Sequence, residues 1–472
     1  MPITNDEAVY IYWAKIIATT NQQWFILLTA GKPPLVHWLM VFFLNLLPSS
    51  YFLLAGRLPS VLGGLISLVG IYKIAKILFL DRKISFLASF LYILSPFALF
   101  YDRMALLDAF LSSMVVWSIY YAIKTSQTLK VKDGVLWGIF LGLAFLSKPT
   151  ALLFIVLSPL AFIILLNRSG FRKNWKRCLL LILMAILISQ LLHNTLIISH
   201  GYKDYLARSI DYRPSNQQLI NDPLTLFIKN LKLSSDWLIS FNTPLFSFLG
   251  LISFLLLYLK RKKNFAVLLT LWLTPIIAFS FFGKVYFSRY ILYTEPFFLI
   301  AASYGIIWLR KRFGLLLSLL TLFVVLTPQL LFDLDLLTNP PKAPLPKTES
   351  WQYITGHPSS YGFETIYQYL DRQLLNNNVT LLVQGGLSHY PDAFRLRYFN
   401  NPKIDIHEQQ TINSIDKLYM QARSTSQVFV LFHDNEKANM FAKDSINHLP
   451  VKIVAIGTKP EGHDSIYLTQ LE

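Results

Sequence analysis

Charged side chains and cysteine are scarce in this sequence of 472 residues. Only 15% of the residues are charged and 54% are hydrophobic, which is too apolar for an ordinary soluble protein of this length. The single cysteine, Cys178, excludes an intrachain disulfide and a thiolate metal site within this chain. The N-terminus is polar and acidic, so we expect no cleavable signal peptide. The sequence therefore predicts a protein whose solvent is mostly lipid.

Apolar runs long enough to cross a membrane fill most of the chain up to residue 332. A helix needs about 20 apolar residues to cross about 30 Å of hydrocarbon. On this basis we predict about ten spans, at about 53–79, 84–101, 105–123, 134–147, 150–166, 178–199, 244–259, 265–282, 290–308 and 314–332. The apolar segment 33–47 is bracketed by prolines, and counting it as a span would invert every later loop.

The distribution of basic residues sets the orientation and excludes nucleic acid as a partner. The net charge of +17 is spread over short clusters between the apolar runs, whereas nucleic-acid binding needs one basic face or arm. Basic residues in short loops stay in the cytoplasm, and all the clusters share one side if residues 33–47 lie along the membrane surface. The clusters are Lys73, Lys76, Arg82 and Lys83; Lys124, Lys130 and Lys132; Arg168, Arg172, Lys173, Lys176 and Arg177; Lys260, Arg261, Lys262 and Lys263; and Arg310, Lys311 and Arg312. We therefore expect a plasma-membrane protein with residues 1–50, the loop 200–243 and the chain after about 333 outside the cytoplasm.

The composition turns polar from about residue 333, where a proline-rich connector at 339–346 introduces a separate domain. Short β-branched runs alternate with helix-like stretches there, which predicts a small soluble α/β domain. The strands are predicted at 379–383, 403–406, 428–432 and 451–456, and the helices at 363–375 and 412–421. The loop Gln384-Gly385-Gly386 lacks the G-x-G-x-x-G spacing, so a structural turn is favoured over a phosphate cradle. The predicted parts are an external loop with juxtamembrane helices (1–52), a transmembrane domain (53–332) and an extracytoplasmic α/β domain (333–472).

Acidic side chains occur at two places on the predicted outer face. Asn5, Asp6 and Glu7 precede an aromatic helical stretch, where a helix cap formed by Asn5 or Asp6 is the simpler interpretation. Asp108 lies about one turn inside an apolar helix, where an ionised carboxylate is costly and usually faces a cavity or a partner. Arg103 is the nearest candidate partner, and a structural salt bridge between the two is as well supported as a functional site.

Four basic residues lie on the same outer face, against the prevailing bias. They are Lys32, Lys148, Lys284 and Arg289, the last of which is followed by Tyr290. Contact with lipid headgroups explains each of them singly. Together with the acids, and with Glu295 in the next helix, they would also form a site for a phosphate-bearing lipid. Such a site suits sugar transfer from a polyprenyl phosphate, because one carboxylate serves as general base and cations stabilise the departing phosphate. A glycosidase would need a paired acid and base.

At these residues the sequence resembles the family 39 glycosyltransferases, which include protein O-mannosyltransferases and the aminoarabinose transferase of lipid A. The matching elements keep their order over the whole membrane region. They are Asp6-Glu7, Gly31-Lys32-Pro33-Pro34-Leu35, His37-Trp38, Arg57-Leu58-Pro59-Ser60, Ser95-Pro96, Arg103, Asp108, Ser147-Lys148, Arg289-Tyr290 and Pro296. Each element is short, but together they are fairly specific.

The resemblance implies a C-type glycosyltransferase fold and an inverting transfer from a polyprenyl-phosphate sugar to a protein, lipid or glycan acceptor outside the cytoplasm. It makes Asp6 the catalytic base, with Glu7 supporting it or binding the acceptor. Asp108 would be the second active-site acid, and Lys32 would contact the donor phosphate. The other substrate-binding residues implied are His37, Arg103, Lys148, Arg289 and Tyr290. No organic cofactor is implied, although Asp6, Glu7 and Asp108 could meet around a divalent metal ion.

Family members also have a transmembrane helix before the acidic pair, so we expect a further helix ahead of Asp6. Two other functions remain open, namely a transporter or flippase of a lipid-linked substrate and a non-catalytic scaffold that presents the C-terminal domain. Transporters usually bind near the membrane midplane through broken helices and contain internal repeats. Here the charged residues cluster at the outer ends of helices, and the sequence has no visible repeat. The scaffold becomes the stronger alternative if the first helix is truly missing.

Overall fold

The computed structural model resolves the chain into two compact units. It describes residues 1–20, 23–166, 168–208, 211, 214–215, 217, 222–384, 390–409, 419, 421–422, 424–433, 451–462 and 465–471. One unit, here called the membrane unit, comprises Ile17–Pro48 and Leu54–Asn339. The other, here called the terminal unit, comprises Met1–Ile16, Ser49–Leu53 and Pro340–Glu472.

Helices make up almost all of the described chain up to Thr338. In order they are α1 (Asn5–Thr20), α2 (Leu35–Leu46), α3 (Phe52–Phe79), α4 (Arg82–Ile93), α5 (Pro96–Asp102), α6 (Asp108–Thr128), α7 (Val131–Ser147), α8 (Leu152–Leu165), α9 (Arg168–Asn194), α10 (Tyr202–Arg208), α11 (Pro223–Asn242), α12 (Pro244–Lys260), α13 (Lys262–Phe282), α14 (Glu295–Phe313) and α15 (Leu315–Thr338). Short 3-10 helices at Ile26–Ala30, Pro149–Ala151, Thr195–Ile198 and Ser288–Thr294 join some of them.

Several of these helices are long and apolar enough to cross a membrane. Within the described residues five pass a test of length and composition, or seven if each of two bent pairs forms one span. The five are Ser49–Phe79, Arg172–Ile198, Lys262–Phe282, Ser288–Phe313 and Leu315–Thr338. The other predicted spans are helices at the expected positions that are shorter or less apolar. Helix α2, at 12 residues, rises only about 18 Å, which is less than the hydrocarbon thickness and agrees with a helix that does not cross.

Two helix pairs are broken where the sequence predicted an uninterrupted span or a loop. Helices α4 and α5 meet at an angle of 58°. The backbone of Ser95, which precedes Pro96, is extended rather than helical, and the Ser95 hydroxyl accepts a hydrogen bond at the N-terminus of α5. The predicted loop 200–243 is wrong in its second half, which forms α11 and meets α12 at 107°. The apolar pattern of α11 is interrupted by three charged residues, Lys229, Lys232 and Asp236. For this reason the segment did not qualify as an apolar run.

The C-terminal part of the terminal unit is a five-stranded sheet with helices, which confirms the predicted small α/β domain. Its strands are β1 (Val379–Gln384), β2 (Ile404–Gln409), β3 (Gln427–His433), β4 (Val451–Thr458) and β5 (Ser465–Leu471), in the order β2-β1-β3-β5-β4. Strands β2, β1 and β3 are parallel, and β5 runs antiparallel to both neighbours. The interior strand β1, between β2 and β3, is an almost continuous buried apolar run, as parallel strands usually are. The sequence did not predict β5, whose Ser465, Thr469 and Gln470 dilute the apolar pattern.

The longer helices that accompany the sheet are α16 (Phe363–Asn376) and α17 (Tyr390–Arg397), and a short helix at Lys347–Ser350 and a π-helix at Trp351–Thr355 precede them. Helix α16 matches the predicted helix 363–375. The predicted helix 412–421 and the turn at Gly385-Gly386 lie mostly outside the described residues. The core of the sheet comprises Leu382, Val428, Val430, Phe432 and Leu471.

Candidate active site

Three elements of the membrane unit bring one carboxylate and two cations together. Asp108 is the first residue of α6, Lys148 directly follows α7, and Arg289 lies in the 3-10 helix Ser288–Thr294. Pro149 explains the position of Lys148, since the residue before a proline is driven out of the helical region, and the backbone of Lys148 is extended at φ −161° and ψ 142°. Helix α7 therefore ends at Ser147, and the Lys148 side chain can reach Asp108 on α6.

Asp108 forms an ion pair with each cation. Lys148 Nζ lies 2.5 Å from Asp108 Oδ1, and Arg289 Nε lies 3.8 Å from Asp108 Oδ2. All three side chains are at least 93% buried. Lys148 Nζ also lies 3.9 Å from the ring centroid of Tyr290, and the Arg289 guanidinium lies 4.5 Å from that of Phe287. The carboxylate and the rings together hold both cations in fixed positions.

Asp108, Lys148 and Arg289 are here called the Asp108 cluster, in which positive charge exceeds negative charge. Burial lowers the pKa of Lys148, in the loop after α7, to about 8. Asp108 opposes that shift, while the positive charges of Arg289 and Lys32 reinforce it. Two or three cations around one carboxylate leave a net positive charge in a region of low dielectric constant. An anion such as a phosphate is the ligand that would offset it.

Lys32 and His37 belong to the same neighbourhood of the membrane unit. Lys32 is half-buried and follows Gly31, whose φ of 72° is in the region that favours glycine. His37, in α2, is fully buried. Burial, with the charge of Lys32 as a second cause, lowers the pKa of His37 to about 3. The imidazole is therefore neutral at physiological pH, and it contributes no charge to a phosphate site.

Arg103 does not pair with Asp108, so that sequence-based interpretation is wrong. Its Nη2 donates a hydrogen bond to the carbonyl of Leu336, at 2.9 Å, near the C-terminal end of α15. Carbonyl groups in the last turn of a helix lack helical partners and attract cations. Proximity in sequence made Arg103 the obvious candidate, but the turn between α5 and α6 directs it towards α15.

Glu295 also lies away from the cations and holds the two helix breaks instead. Its carboxylate accepts hydrogen bonds from the Ser95 hydroxyl, at 3.0 Å, and from the Asn242 amide, at 3.0 Å. Ser95 is the residue at the α4–α5 bend, and Asn242 is the last residue of α11. Gln329 completes the network by donating to the carbonyl of Asn242, at 3.2 Å. The Ser-Pro pair and the polar residues before Pro244 are the sequence signals that could have located these breaks.

The acidic pair at the N-terminus belongs to the terminal unit. Helix α1 begins at Asn5, and the carboxylate of Glu7 accepts hydrogen bonds from the Thr4 backbone N–H and hydroxyl, at 3.0 and 3.2 Å. The bond to the Thr4 N–H is the glutamate half of a capping box, so Glu7 satisfies a free N–H at the start of the helix, a role that was expected for Asn5 or Asp6. Asp6 is half-buried in the first turn. Among the described residues, no three His, Cys, Asp or Glu side chains are grouped so as to hold a metal ion.

Gly63 on α3 packs directly against the backbone of α6, the helix that carries Asp108. A Cβ atom added at Gly63 would lie 2.9 Å from three backbone atoms of Ala109 and Phe110. Backbone atoms cannot rotate away, so Gly63→Ala must push the start of α6 outward. We expect an overpacking cost of about 1–3 kcal/mol in the free energy of unfolding, measured by thermal unfolding in detergent.

Leu65→Ala is the control for this change, because Leu65 is on the same helix but is 55% exposed. It should leave the unfolding temperature almost unchanged. An unchanged unfolding temperature for Gly63→Ala would contradict the close contact between α3 and α6.

The chain resembles known proteins in sequence over part of its length and in fold over nearly all of it. The family model for dolichyl-phosphate-mannose-protein mannosyltransferases matches residues 31–193. No curated protein sequence matches the chain. ArnT from Cupriavidus metallidurans in the apo state is similar with a TM-score of 0.59 and 13% identity, over 99% of this chain and 94% of that one. The same protein bound to undecaprenyl phosphate gives a TM-score of 0.58 and 12% identity, with the same coverage.

At this level of identity the structural likeness establishes the fold, and the family model supports the sequence resemblance independently. The structural likeness extends over the helical part and the small C-terminal sheet, whereas the family model is confined to residues 31–193. The chain is therefore a multi-pass membrane protein with the C-type glycosyltransferase fold, similar to the family 39 glycosyltransferases.

Proposed function

We propose that this protein is an inverting glycosyltransferase of the cell membrane. It moves a sugar from a polyprenyl-phosphate donor to a protein, lipid or glycan acceptor on the extracytoplasmic face. The observation that carries the proposal is the surplus of buried positive charge in the Asp108 cluster. The family description names a dolichyl-phosphate sugar, and one similar structure is bound to undecaprenyl phosphate, which supports the same class of donor.

The chemistry of the donor requires a cationic site. When the bond between the sugar's anomeric carbon and the phosphate oxygen breaks, the oxygen keeps the electron pair and the polyprenyl phosphate gains one negative charge. Lys148 and Arg289, fixed by Asp108 and by the rings of Tyr290 and Phe287, would stabilise that charge as it develops. Because these groups are already in place, little reorganisation is needed during the reaction. Lys32 would add a further cation.

The acceptor must lose a proton as its oxygen attacks the anomeric carbon from the opposite side. We assign this proton to Asp6, the position that the family resemblance indicates for the base. A single carboxylate suffices for an inverting transfer, because no covalent sugar intermediate has to be formed. Glu7 stabilises the start of α1 and thereby helps to position Asp6.

Binding of the lipid product tests the role of the Asp108 cluster directly. We expect Arg289→Gln to weaken the binding of undecaprenyl phosphate about 10- to 100-fold, because a charge-assisted hydrogen bond contributes about 1.5–3 kcal/mol. The measurement is the dissociation constant of undecaprenyl phosphate for purified protein in nanodiscs, together with the rate of sugar transfer from an undecaprenyl-phosphate sugar.

Lys284→Gln is the matched control, since Lys284 was grouped with these bases in the sequence but is exposed and forms no ion pair with Asp108. It should bind the lipid as the unaltered protein does. Equal binding by both variants would reject the Asp108 cluster as the phosphate site.

The two bent helix pairs are a feature that transporters share, so a flippase is the second candidate. Donor lipid that moves between leaflets without loss of its sugar would favour it.

A further inference from the structure

A groove lies between α4, α14 and α15. In the predicted topology it is on the cytoplasmic side of the membrane, whereas the Asp108 cluster is on the outer side. It has a volume of about 510 Å³. Apolar residues form most of its lining, and two bases stand at its loop end: Lys83 and Arg310. None of its lining residues in the described part of the chain is acidic. The groove therefore combines an apolar channel with a positively charged entrance.

The walls of the groove are side chains that no other part of the described chain covers fully. On α4, Phe86 and Phe90 are four residues apart and are 64% and 50% exposed. On α15, Leu315 and Leu319 are also four apart, and each is 51% exposed. Residues at this spacing lie on one face of a helix, so two apolar faces border the groove. Gly314, with φ 96°, provides the reverse turn between α14 and α15 at its end.

The acid nearest in sequence to Lys83 is engaged by another base. The carboxylate of Asp81 accepts a hydrogen bond from Lys311 Nζ at 2.9 Å, and this bond lowers the pKa of Asp81. Lys83 and Arg310 thus retain positive charge at the groove entrance. We propose that the groove binds an anionic phospholipid, with an acyl chain between Phe86 and Leu319 and the headgroup phosphate on these two bases.

An anionic phospholipid fits both halves of the site. An acyl chain matches the apolar walls, and a headgroup with a net negative charge matches two cations without an acid, whereas a zwitterionic headgroup would present its own cation to them. Each basic residue near a membrane surface contributes about 1 kcal/mol to the binding of anionic lipid, so two of them favour it about 25-fold. This inference does not depend on glycosyl transfer.

The test compares two double variants that remove the same charge from the first turn of α4 and the last turn of α14. Lys83→Gln with Arg310→Gln removes the bases of the groove, and Arg82→Gln with Arg312→Gln removes neighbours that do not line it. Each protein is placed in nanodiscs of equal phosphatidylglycerol and phosphatidylethanolamine, and retained lipid is measured by native mass spectrometry. We expect the unaltered protein and the control to retain phosphatidylglycerol preferentially, and the groove variant to lose that preference about 25-fold.

Three results would overturn the proposal. One is an equal loss in the control variant, which would indicate a diffuse charge effect. Another is the absence of any preference in the unaltered protein, and the third is displacement of phosphatidylglycerol by equimolar undecaprenyl phosphate, which would identify the groove as a polyprenyl site. Leu319→Trp tests the position of the acyl chain, because it fills the groove without changing charge. It should reduce retention, and unchanged retention would also reject the groove.

Discussion

Replacing Asp6 with asparagine is expected to lower the rate of sugar transfer about 10²- to 10⁴-fold, which is the usual contribution of a general base. Asparagine keeps the size of the side chain, and the bonds from Thr4 to Glu7 at the start of the helix do not involve Asp6, so α1 should still form. The loss should therefore affect the chemical step more than folding. The measurement is the initial rate of undecaprenyl phosphate release at saturating donor and acceptor, with thermal unfolding as a check on the fold.

Glu7→Gln is the matched control, because it neutralises the adjacent carboxylate and keeps a hydrogen-bond acceptor for Thr4. Glutamine accepts the hydrogen bonds from Thr4 as glutamate does. We expect a small effect on stability and a much smaller loss of transfer than for Asp6→Asn. A loss of the same size for both variants would assign Glu7 to the reaction as well, and full activity of Asp6→Asn would reject the base assignment.

The Asp108 carboxylate should contribute strongly to the stability of the membrane unit, because two buried cations depend on it. Asp108→Asn removes the charge that both Lys148 and Arg289 contact, at 2.5 and 3.8 Å. Removing one partner of a buried ion pair usually costs about 3–5 kcal/mol, because the remaining charge is left buried. We expect a loss of that size in the free energy of unfolding, measured in detergent micelles.

Lys148→Met provides the comparison, because it leaves Asp108 with Arg289 as its partner. We expect it to cost less than Asp108→Asn. The double variant should be more stable than the sum of the two single losses indicates, since the buried Lys148 charge is gone. Simple additivity of the two losses would contradict the direct contact between Asp108 and Lys148.

Much of the fold follows from apolar runs, since a helix in lipid must satisfy its own backbone and needs a fixed length. Helix α3 ends at Phe79, the residue that the apolar run predicted, and starts one residue earlier. Strand β1 was likewise located as a β-branched run. Helix α11 was missed because its polar residues reduce its apolar character, and the α4–α5 break was missed because both halves are apolar.

The candidate site was predictable as a set of residues but not as a set of contacts. Asp108 and Lys148 stood out as charges among apolar residues, and Pro149 marks the end of α7. Their pairing depends on how α6 and α7 pack, and 40 residues separate the partners. Local reasoning favoured Arg103, which is five residues from Asp108, and it was wrong for that reason. No periodicity in the sequence relates Arg289 to either of them.

The hydrogen bonds of Glu295 have a consequence for the order of events during synthesis. Ser95 emerges from the ribosome 200 residues before Glu295, and Asn242 emerges 53 residues before it. Domains and segments generally become structured in the order of synthesis. Ser95 and Asn242, the residues at the two bends, therefore enter the translocon or the bilayer before the Glu295 carboxylate that accepts their hydrogen bonds. The hydrogen bonds that join the two bends can therefore form only after α14 has been inserted, and Gln329 on α15 joins them last.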